Sequence, residues 1–402
     1  MRVAIIGAGI VGVASAYELA QDGHEVTVFE RAGSVATGAS FAHAGWLSAS
    51  VGFDWLATPR ALTTAAALGS RWQAVRRRLD RAHGEAQESR HVSAQSLRRL
   101  GVARVDALTA SLALEYERAP GATVLLRSER ELARSRPSLK RLADLGVDFQ
   151  LLDGARTREL QPGLGERLPL RASIHFPGDR AGNCRQFVHE LRGAAQRAGA
   201  SFRFNDAVEV VTPGGPARVS ARSGEHSFDT VMLCTGAEAA MLLAPLGLKL
   251  PLRGVAGYSV TAPLRHSEGS PDPGPRGVVV DAASGVVMVR LGQRLRAVGA
   301  PEAGKDTRDL RPTSLEQLYR ALEECFPGAA QTAKATQWKG RTVIMPDGLP
   351  IVGPTRLPGL WVHLVDGADG WSLAAGTARL VADAIAGQQP AALQGLAPAR
   401  FA

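Results

Sequence analysis

The hydrophobic pattern at the start of the chain predicts a strand, a helix and a second strand in succession. Residues 2–6 form a short apolar run, and the turn Gly7-Ala-Gly-Ile-Val-Gly12 follows it. Residues 11–20 have the composition of a helix, and Gly23 is typical of a helix C-terminal stop. Residues 25–30 alternate as a strand. Together they have the length of a βαβ unit that binds a dinucleotide.

The rest of the chain alternates between helical and strand-like segments. Residues 86–150 are mainly helical in pattern, and residues 250–300 alternate as in a β-sheet. Further helices are predicted at 184–198, 313–326 and 371–386, and further strands at 200–205, 208–212, 217–222, 230–236 and 360–364. The fold class predicted is α/β, with a Rossmann-like dinucleotide-binding unit.

The glycine turn and the acid after it form a dinucleotide fingerprint. Gly7 permits the tight turn, Gly9 lets the backbone approach a pyrophosphate, and Gly12 lets helix and strand pack closely. Glu30 ends the second strand, where a carboxylate binds the adenosine ribose and disfavours a 2′-phosphate. The pattern therefore predicts FAD or NAD rather than NADP. The alternative is a βαβ unit without a ligand.

Composition narrows the class of protein. The 402 residues carry a formal net charge of +9, with 45% hydrophobic and 21% charged residues, as in a globular protein with a large core. We find no zinc-ligand spacing, no RNA-binding aromatic motif and no dense basic tail, so we predict neither a metal site nor a nucleic-acid partner.

An apolar segment and the cysteines bear on membrane contact and on the cellular compartment. Residues 54–75 are moderately apolar and precede Arg76-Arg-Arg78, so this segment is predicted to be an ordinary surface helix or, alternatively, a peripheral membrane contact. Cys184, Cys234 and Cys325 are far apart and odd in number, which favours a reducing compartment. A cytoplasmic protein is the expectation, with peripheral contact at the inner face of the membrane as the alternative.

Blocks along nearly the whole chain resemble the D-amino-acid dehydrogenase small-subunit family, within the wider D-amino-acid oxidase fold group. The blocks occur in the family's order, at residues 37–48, 177–184, 202–205, 257–261, 345–353 and 370–372. The resemblance implies FAD, a discontinuous Rossmann-like flavin domain built from residues 1–85, 182–245 and 336–402, and a β-rich α+β substrate domain built from residues 86–181 and 246–335.

The resemblance also implies a map of the cofactor site. The ADP half is assigned to Gly7, Ala8, Gly9, Ile10, Val11, Gly12, Glu30 and Arg31, with the adenine end at Val208 and the pyrophosphate region closed by Thr235 and Gly236. The flavin is assigned to Ala42, His43, Ala44, Gly45, Trp46, Leu47, Gly340, Gly367, Ala368, Asp369, Gly370, Trp371 and Ser372. The last group includes a helix N-terminus, whose positive end stabilises the charge of a reduced flavin.

Two segments depart from the family pattern close to the expected substrate. The family has Gly-Leu-Arg-Pro, whose arginine can hold a substrate carboxylate, whereas this chain has Gly340-Arg-Thr-Val. Arg341 is one position early, and a one-residue slip on a strand turns a side chain to the other face. It is expected either to bind substrate or to point away. Asp366 replaces a family histidine and could bind an amine; Asp369 is an additional acid, expected to cap the final helix.

Three further residues are candidates by resemblance or position. Tyr258 could line the substrate pocket or bond to the backbone, and Arg290 is a weaker candidate for binding a carboxylate. His43 lies beside the flavin in the resemblance, but it is one position away from the histidine that tethers FAD in related amine dehydrogenases. Non-covalent FAD is therefore expected.

The function predicted is FAD-dependent oxidative deamination of a small amino acid, by hydride transfer to flavin N5. A D-amino acid is the first expectation, with Arg341, Tyr258 and Asp366 as catalytic candidates. The two departures raise the hypothesis of a secondary or cyclic amine or a specialised biosynthetic amino acid instead. A quinone, oxygen or another carrier would accept the electrons. The alternative of another class is an FAD-binding partner subunit without activity.

Overall fold

The structure is a computed structural model that describes residues 1–50, 86–265, 273–302, 310–365, 367 and 369–401. The predicted surface segment 54–78 and the candidates Asp366 and Ala368 lie outside these residues. Within the described ranges, no helix is both long enough and apolar enough to cross a bilayer.

The described chain contains strands and helices in alternation. The strands are β1 (Arg2–Ile6), β2 (Glu25–Phe29), β3 (Trp46–Leu47), β4 (Ala119–Leu126), β5 (Gln150–Asp153), β6 (Ala172–Ala181), β7 (Ser201–Arg203), β8 (Val208–Thr212), β9 (Ala217–Ala221), β10 (Gly224–Phe228), β11 (Thr230–Leu233), β12 (Arg253–Pro263), β13 (Val278–Asp281), β14 (Val286–Leu291), β15 (Arg294–Val298), β16 (Thr336–Ile344), β17 (Ile351–Pro354) and β18 (Leu360–Leu364). The α-helices are α1 (Ile10–Gln21), α2 (Ala86–Leu112), α3 (Glu129–Asp144), α4 (Gly154–Leu160), α5 (Cys184–Arg197), α6 (Ala239–Leu243), α7 (Pro312–Cys325) and α8 (Gly370–Ile385).

The first sheet is a doubly wound, mostly parallel sheet in the order β17-β18-β11-β1-β2-β7. Its central strand β1 pairs in parallel with both β2 and β11, so that Ile6 lies between Phe29 and Leu233. Helix α1 is buried over most of its surface because α5 and α8 pack beside it on one face of the sheet. This confirms the predicted Rossmann-like unit.

A small antiparallel sheet covers the other face of the first sheet. Strands β8, β9 and β10 form it in the order β10-β9-β8, and Val211, Ala217, Val219 and Phe228 share a core with β1 and β11. The predicted hairpin of residues 208–212 and 217–222 is thus present, with a third strand that the pattern did not reveal.

A nine-stranded sheet forms the β-rich part of the molecule. Its order is β16-β12-β15-β14-β13-β4-β6-β3, and β5 pairs with β6. Successive side chains of a strand point to opposite faces, so two cores form on this sheet. Tyr258, Val260 and Leu295 face the core under helix α7, whereas Val287 and Val289 face the core that α3 covers.

Two of the expected domain boundaries differ from the contacts in the structure. Helix α2, expected in the substrate domain, packs against α8, and its Leu97, Val105 and Leu108 share the core of α1. A Cβ at Gly101 would lie 1.9 Å from the Ser372 carbonyl oxygen, so the two helices cross in close contact. Strand β16, expected in the flavin domain, is the edge strand of the nine-stranded sheet.

Candidate active site

A cavity of about 750 Å³, which we call the main cavity, lies where the carboxyl ends of β1, β2, β11 and β18 meet strand β16. Ligands of doubly wound sheets bind in this kind of crevice. Of the residues predicted to hold the cofactor, it is lined by Gly7, Gly9, Ile10, Val11, Glu30, Arg31, His43, Val208, Thr235, Gly236, Gly340, Gly367 and Gly370.

The glycine turn has the geometry that its sequence predicts. Gly7 has a φ of 101°, and a Cβ there would lie 2.9 Å from the Cys234 carbonyl oxygen. A Cβ at Gly12 would lie 1.9 Å from the Gly7 carbonyl oxygen, so this glycine serves the close packing of α1 against the turn. Gly12 does not line the main cavity; its role is within the fold.

Glu30 is fixed at the cavity wall by two backbone N–H groups. Its Oε2 accepts a hydrogen bond from Ala8 at 2.8 Å, and its Oε1 accepts one from Ala32 at 2.9 Å. Each carboxylate oxygen retains a second lone pair for a ligand hydroxyl. The neighbouring Arg31 forms an ion pair with Glu238 at 2.7 Å.

The main cavity fits FAD on three observations. The N-terminus of α1 has no acid in its first turn, and the only side chain bonded to it among the described residues is the neutral Ser40, whose Oγ accepts from the Ile10 N–H at 3.1 Å, so its positive end faces the cavity. A Cβ at Gly9 would have Ser40 Oγ, at 3.4 Å, as its nearest neighbour, so packing of the chain does not require glycine there. The buried Thr235 Oγ1 has no hydrogen-bond partner among the described residues. An approaching pyrophosphate accounts for all three.

Within residues 42–47, the segment expected beside the flavin, some residues line a cavity and others are buried in the cores. His43 lines the main cavity, and its Nδ1 accepts a hydrogen bond from the Gly45 N–H at 3.1 Å. Trp46 and Leu47 are buried in two cores and do not line the main cavity, so their place at the cofactor stays a prediction. Ala44 and Gly45 do not line the main cavity either, and Ala42 lines a second cavity described below.

Asp179, which the sequence analysis missed, holds this segment in place. Trp46 Nε1 donates to Asp179 Oδ2 at 2.9 Å. Burial raises the pKa of the Asp179 carboxyl to about 6, against hydrogen bonds from Ser48, Trp46 and Ser50 that lower it. An acid between a glycine and an arginine in strand β6 gives no sequence signal of burial, because its partner Trp46 lies 133 residues away in the chain.

The beginning of α8 reaches the main cavity through Gly370. Asp369 is the N-cap residue, but its side chain makes no capping hydrogen bond, which corrects the expectation that it caps the helix. Its carboxylate instead accepts from Arg98 Nε at 3.0 Å and forms an ion pair with that guanidinium. The acid beside the positive helix end is therefore neutralised. Trp371 lies in the core, and Ser372 Oγ accepts from the Ser48 N–H, so neither lines the cavity.

His363 is a second residue of the main cavity that the sequence analysis did not identify. It lies in β18, lines the main cavity and is fully buried between Ser15 and Thr377, at 2.9 and 2.8 Å. Burial lowers its pKa to about 3, so the imidazole is neutral. It joins strand β18 to α1 and α8.

A second cavity of about 640 Å³, which we call the side cavity, adjoins the main one. Trp338 lines both. The indole lies along its own strand, because a Cβ at Gly340 would come within 2.1 Å of it. The side cavity is also lined by Phe41, Ala42, Glu117, Asn183, Arg185, Gln186, His189, Ser259, Thr261, Ala262, Pro263, Arg294, Arg296, Lys334 and Thr336.

The register of β16 decides where Arg341 points. Arg341 pairs with Ala256, and Lys339 pairs with Tyr258, so these four residues share one face of the sheet. Ser259 pairs with Trp338 on the opposite face, which borders the side cavity. Arg341 lines the main cavity but faces away from the side cavity, as the one-residue slip allowed.

Two other candidates lie away from the side cavity. Tyr258 is 2% exposed in the core under α7 and lines neither cavity, so of the two expectations the buried tyrosine agrees better with the structure. Its hydroxyl has no hydrogen-bond partner among the described residues. Arg290 pairs across the sheet with Leu295 on the same face, and its Nε donates to the Gly292 carbonyl at 3.0 Å.

No group of three or more His, Cys, Asp or Glu side chains is placed to hold a metal in the part of the chain that the structure describes. The three cysteines are free and buried, and burial raises the pKa of each thiol to about 12.

Comparisons with known proteins agree with this site. The profile of the family described as DAO, FAD dependent oxidoreductase, matches residues 2–384. A D-amino acid dehydrogenase of Cereibacter sphaeroides is 34% identical over 413 residues, covering 97% of this chain and 93% of the relative.

Solved structures share the fold. Glycine oxidase from Geobacillus kaustophilus aligns with a TM-score of 0.77 and 23% identity, over 98% of each chain. Iminodiacetate oxidase from Chelativorans sp. BNC1 aligns with a TM-score of 0.73 and 24% identity, over 99% of each chain. The fingerprint, the cavity at the sheet's carboxyl edge and the profile match lead to one conclusion: the chain belongs to the FAD-dependent oxidoreductase family, and FAD is its cofactor.

Proposed function

We propose that this enzyme oxidises the C–N bond of a small amino acid, with the FAD in the main cavity and the amino acid in the side cavity. When bound, FAD would act as the acceptor of a hydride from the substrate carbon. The observation that carries the proposal is the side cavity, which adjoins the main cavity at Trp338 and is lined by more cations than acids. The 34% identity to a D-amino acid dehydrogenase supports an amino acid as the substrate class.

The proposed roles of the cofactor residues follow from their contacts. The N-terminus of α1 and Thr235 Oγ1 would hold the pyrophosphate, and Glu30 would accept hydrogen bonds from the ribose. The N-terminus of α8 would stabilise negative charge on the reduced ring system, because Arg98 neutralises Asp369 beside it. His43 would lie against the cofactor without a covalent bond.

The side cavity would orient the substrate and keep water from the reacting carbon. Trp338 separates the two cavities, and its ring stacks with Phe41 at 6.4 Å between centroids. A small substrate held in the side cavity beside Trp338 would present its carbon–hydrogen bond towards the main cavity, and fixed orientation contributes much of the rate in such reactions. No general base is assigned.

The finer division of the molecule is also a proposal. The flavin domain would comprise the six- and three-stranded sheets with α1, α2, α5 and α8, and the substrate domain the nine-stranded sheet with α3 and α7. The proposal needs an electron acceptor, for which a quinone, oxygen and another carrier are the alternatives. Cytoplasmic location and membrane contact through residues 54–78 stay predictions from the sequence.

Anaerobic titration of the holoenzyme tests the proposal. The panel contains D-alanine, D-proline, an L-amino acid and sarcosine, and we expect at least one of them to bleach the oxidised flavin band in the visible spectrum. Bleaching by sarcosine or D-proline alone would shift the assignment to a secondary or cyclic amine. Bound FAD that no amine or amino acid of the panel bleaches would contradict the proposal and favour a partner subunit without activity.

A further inference from the structure

Arg296 is a buried cation in the side cavity. It lies on β15 with 6% of its surface exposed and lines that cavity. Its Nε donates to Thr261 Oγ1 at 3.0 Å, and its Nη1 donates to the His43 carbonyl oxygen at 3.1 Å. Both acceptors are uncharged. Buried arginines are normally paired with an anion, and burial lowers the pKa of this guanidinium to about 10.

The acid that lines the side cavity with Arg296 already has other partners. Glu117 forms an ion pair with Arg294 at 2.8 Å and accepts from Asn183 Nδ2 at 2.7 Å. It is the single acid among the described residues that line the side cavity, beside Arg185, Arg294, Arg296 and Lys334. The described lining therefore has a net positive charge, and Arg296 Nη2 at its wall has no hydrogen-bond partner among the residues that the structure describes.

A second polar group on the same face lacks a partner. Ser259 is 1% exposed, lines the side cavity, and its Oγ has no hydrogen-bond partner among the described residues. Arg296 pairs with Thr261, so Ser259 is its diagonal neighbour. Diagonal Cα atoms are about 7 Å apart, which lets one small anion contact both side chains.

The arginine of β16 is not available on this face. Arg341 pairs with Ala256, on the opposite face of the sheet from Ser259 and Trp338. Arg296 lies two strands away in the order β16-β12-β15. The cation for the substrate would thus come from a different strand.

We propose that Arg296 and Ser259 bind the substrate carboxylate in the side cavity, so that the amino group and α-carbon point to Trp338 and the main cavity. This inference rests on the proposed function, because it takes the substrate to be an amino acid. The same arrangement predicts that an amine without a carboxylate binds weakly.

Propionate is the probe for this subsite, because it carries the carboxylate and has no amine to oxidise. Calorimetric titration of the FAD-bound enzyme should show that propionate binds and that propionamide does not. Arg296→Gln should weaken propionate binding about 10- to 100-fold, because a hydrogen bond to a charged group is lost. Ser259→Ala should weaken it about 3- to 10-fold.

Arg290→Gln is the matched control, because Arg290 lies on the neighbouring strand but on the opposite face. It should bind propionate as the unaltered enzyme does. Arg296→Lys keeps the charge and should lose less affinity than Arg296→Gln. If Arg296→Gln retains too little FAD to be measured, the Ser259→Ala and Arg296→Lys variants still decide the question.

The two proposals fail in different ways. Unchanged propionate affinity in the Arg296 and Ser259 variants, with flavin still bleached by an amino acid, would overturn the subsite and leave the proposed function intact. The subsite is also overturned if the unaltered enzyme does not bind propionate. Flavin that no amino acid bleaches would refute the proposed function, and the substrate carboxylate subsite with it, even if propionate bound at Arg296.

Discussion

Replacing Gly9 and Gly12 separately by alanine should distinguish a glycine that the cofactor needs from one that the fold needs. Gly9 has φ −73° and ψ −176°, a conformation that alanine adopts without strain, and its Cβ would meet Ser40 Oγ at 3.4 Å. Because Ser40 also lines the main cavity, the new methyl group would lie at the cavity wall. The fold should therefore tolerate Gly9→Ala.

The two variants should differ in which property they lose: Gly9→Ala should lose FAD affinity, and Gly12→Ala should lose stability. Gly9→Ala should change the free energy of unfolding of the apoprotein by less than about 1 kcal/mol, while FAD affinity falls about 10- to 100-fold as the pyrophosphate loses close contact. At Gly12 the Cβ would lie 1.9 Å from the Gly7 carbonyl oxygen, which is backbone and cannot rotate away. Relieving that overlap should cost about 3 kcal/mol or more of unfolding free energy.

Two measurements on each variant check this. Urea unfolding of the apoprotein gives the stability, and quenching of flavin fluorescence during titration gives the FAD affinity. Gly9→Ala that binds FAD as tightly as the unaltered protein would refute the assignment of the pyrophosphate to this turn. Gly12→Ala with unaltered stability would refute the packing argument.

Three further predictions concern buried charge and the flavin linkage. Glu18 is fully buried and accepts hydrogen bonds from Arg104 at 2.7 and 2.8 Å and from Arg379 at 3.0 Å, so Glu18→Gln should lower the free energy of unfolding by about 2–3 kcal/mol. A loss below about 1 kcal/mol in urea unfolding would contradict this prediction. Arg104→Gln should cost less, because Arg379 still pairs with Glu18. The folded pKa of Asp179, about 6, lies above its ordinary value of 3.8, so its contribution to stability is fully present below pH 4 and is lost as the pH rises through 6, about 3 kcal/mol in total. Asp179→Asn should flatten that part of the stability–pH curve, and an unchanged slope between pH 4 and 7 would refute the assignment. Acid precipitation should release all the flavin into the supernatant, and flavin retained by the pellet but lost in His43→Ala would show a covalent bond.

How far the sequence predicts the site depends on how local each signal is. The turn at Gly7, Gly9 and Gly12 and the acid Glu30 belong to one continuous βαβ unit, in which strand, turn and helix follow from about thirty residues. Their positions in the structure agree with the prediction, since Gly7, Gly9 and Glu30 line the main cavity. The signal for the start of α8 is likewise local, and the helix begins at Gly370, one residue before the predicted start.

Positions that depend on distant pairing could not be predicted in the same way. Trp46 and Leu47 were expected at the flavin, but pairing of β3 with β6 draws them into the cores. Helix α2 was expected in the substrate domain, but close contact at Gly101 places it on α8. The sequence signal for Arg296 was present, since Arg294 and Arg296 alternate with apolar residues in β15, but it does not say which face meets a cavity.

The sequence by itself therefore determined the dinucleotide fold, the FAD fingerprint and the family of this protein, because these depend on short-range patterns and ordered motifs. The tertiary structure alone decided which charges meet. It paired Asp369 with Arg98, turned Arg341 away from the side cavity and left Arg296 there with uncharged partners. Strand register and helix crossing bring together residues hundreds of positions apart, and the face of a side chain changes with a shift of one residue.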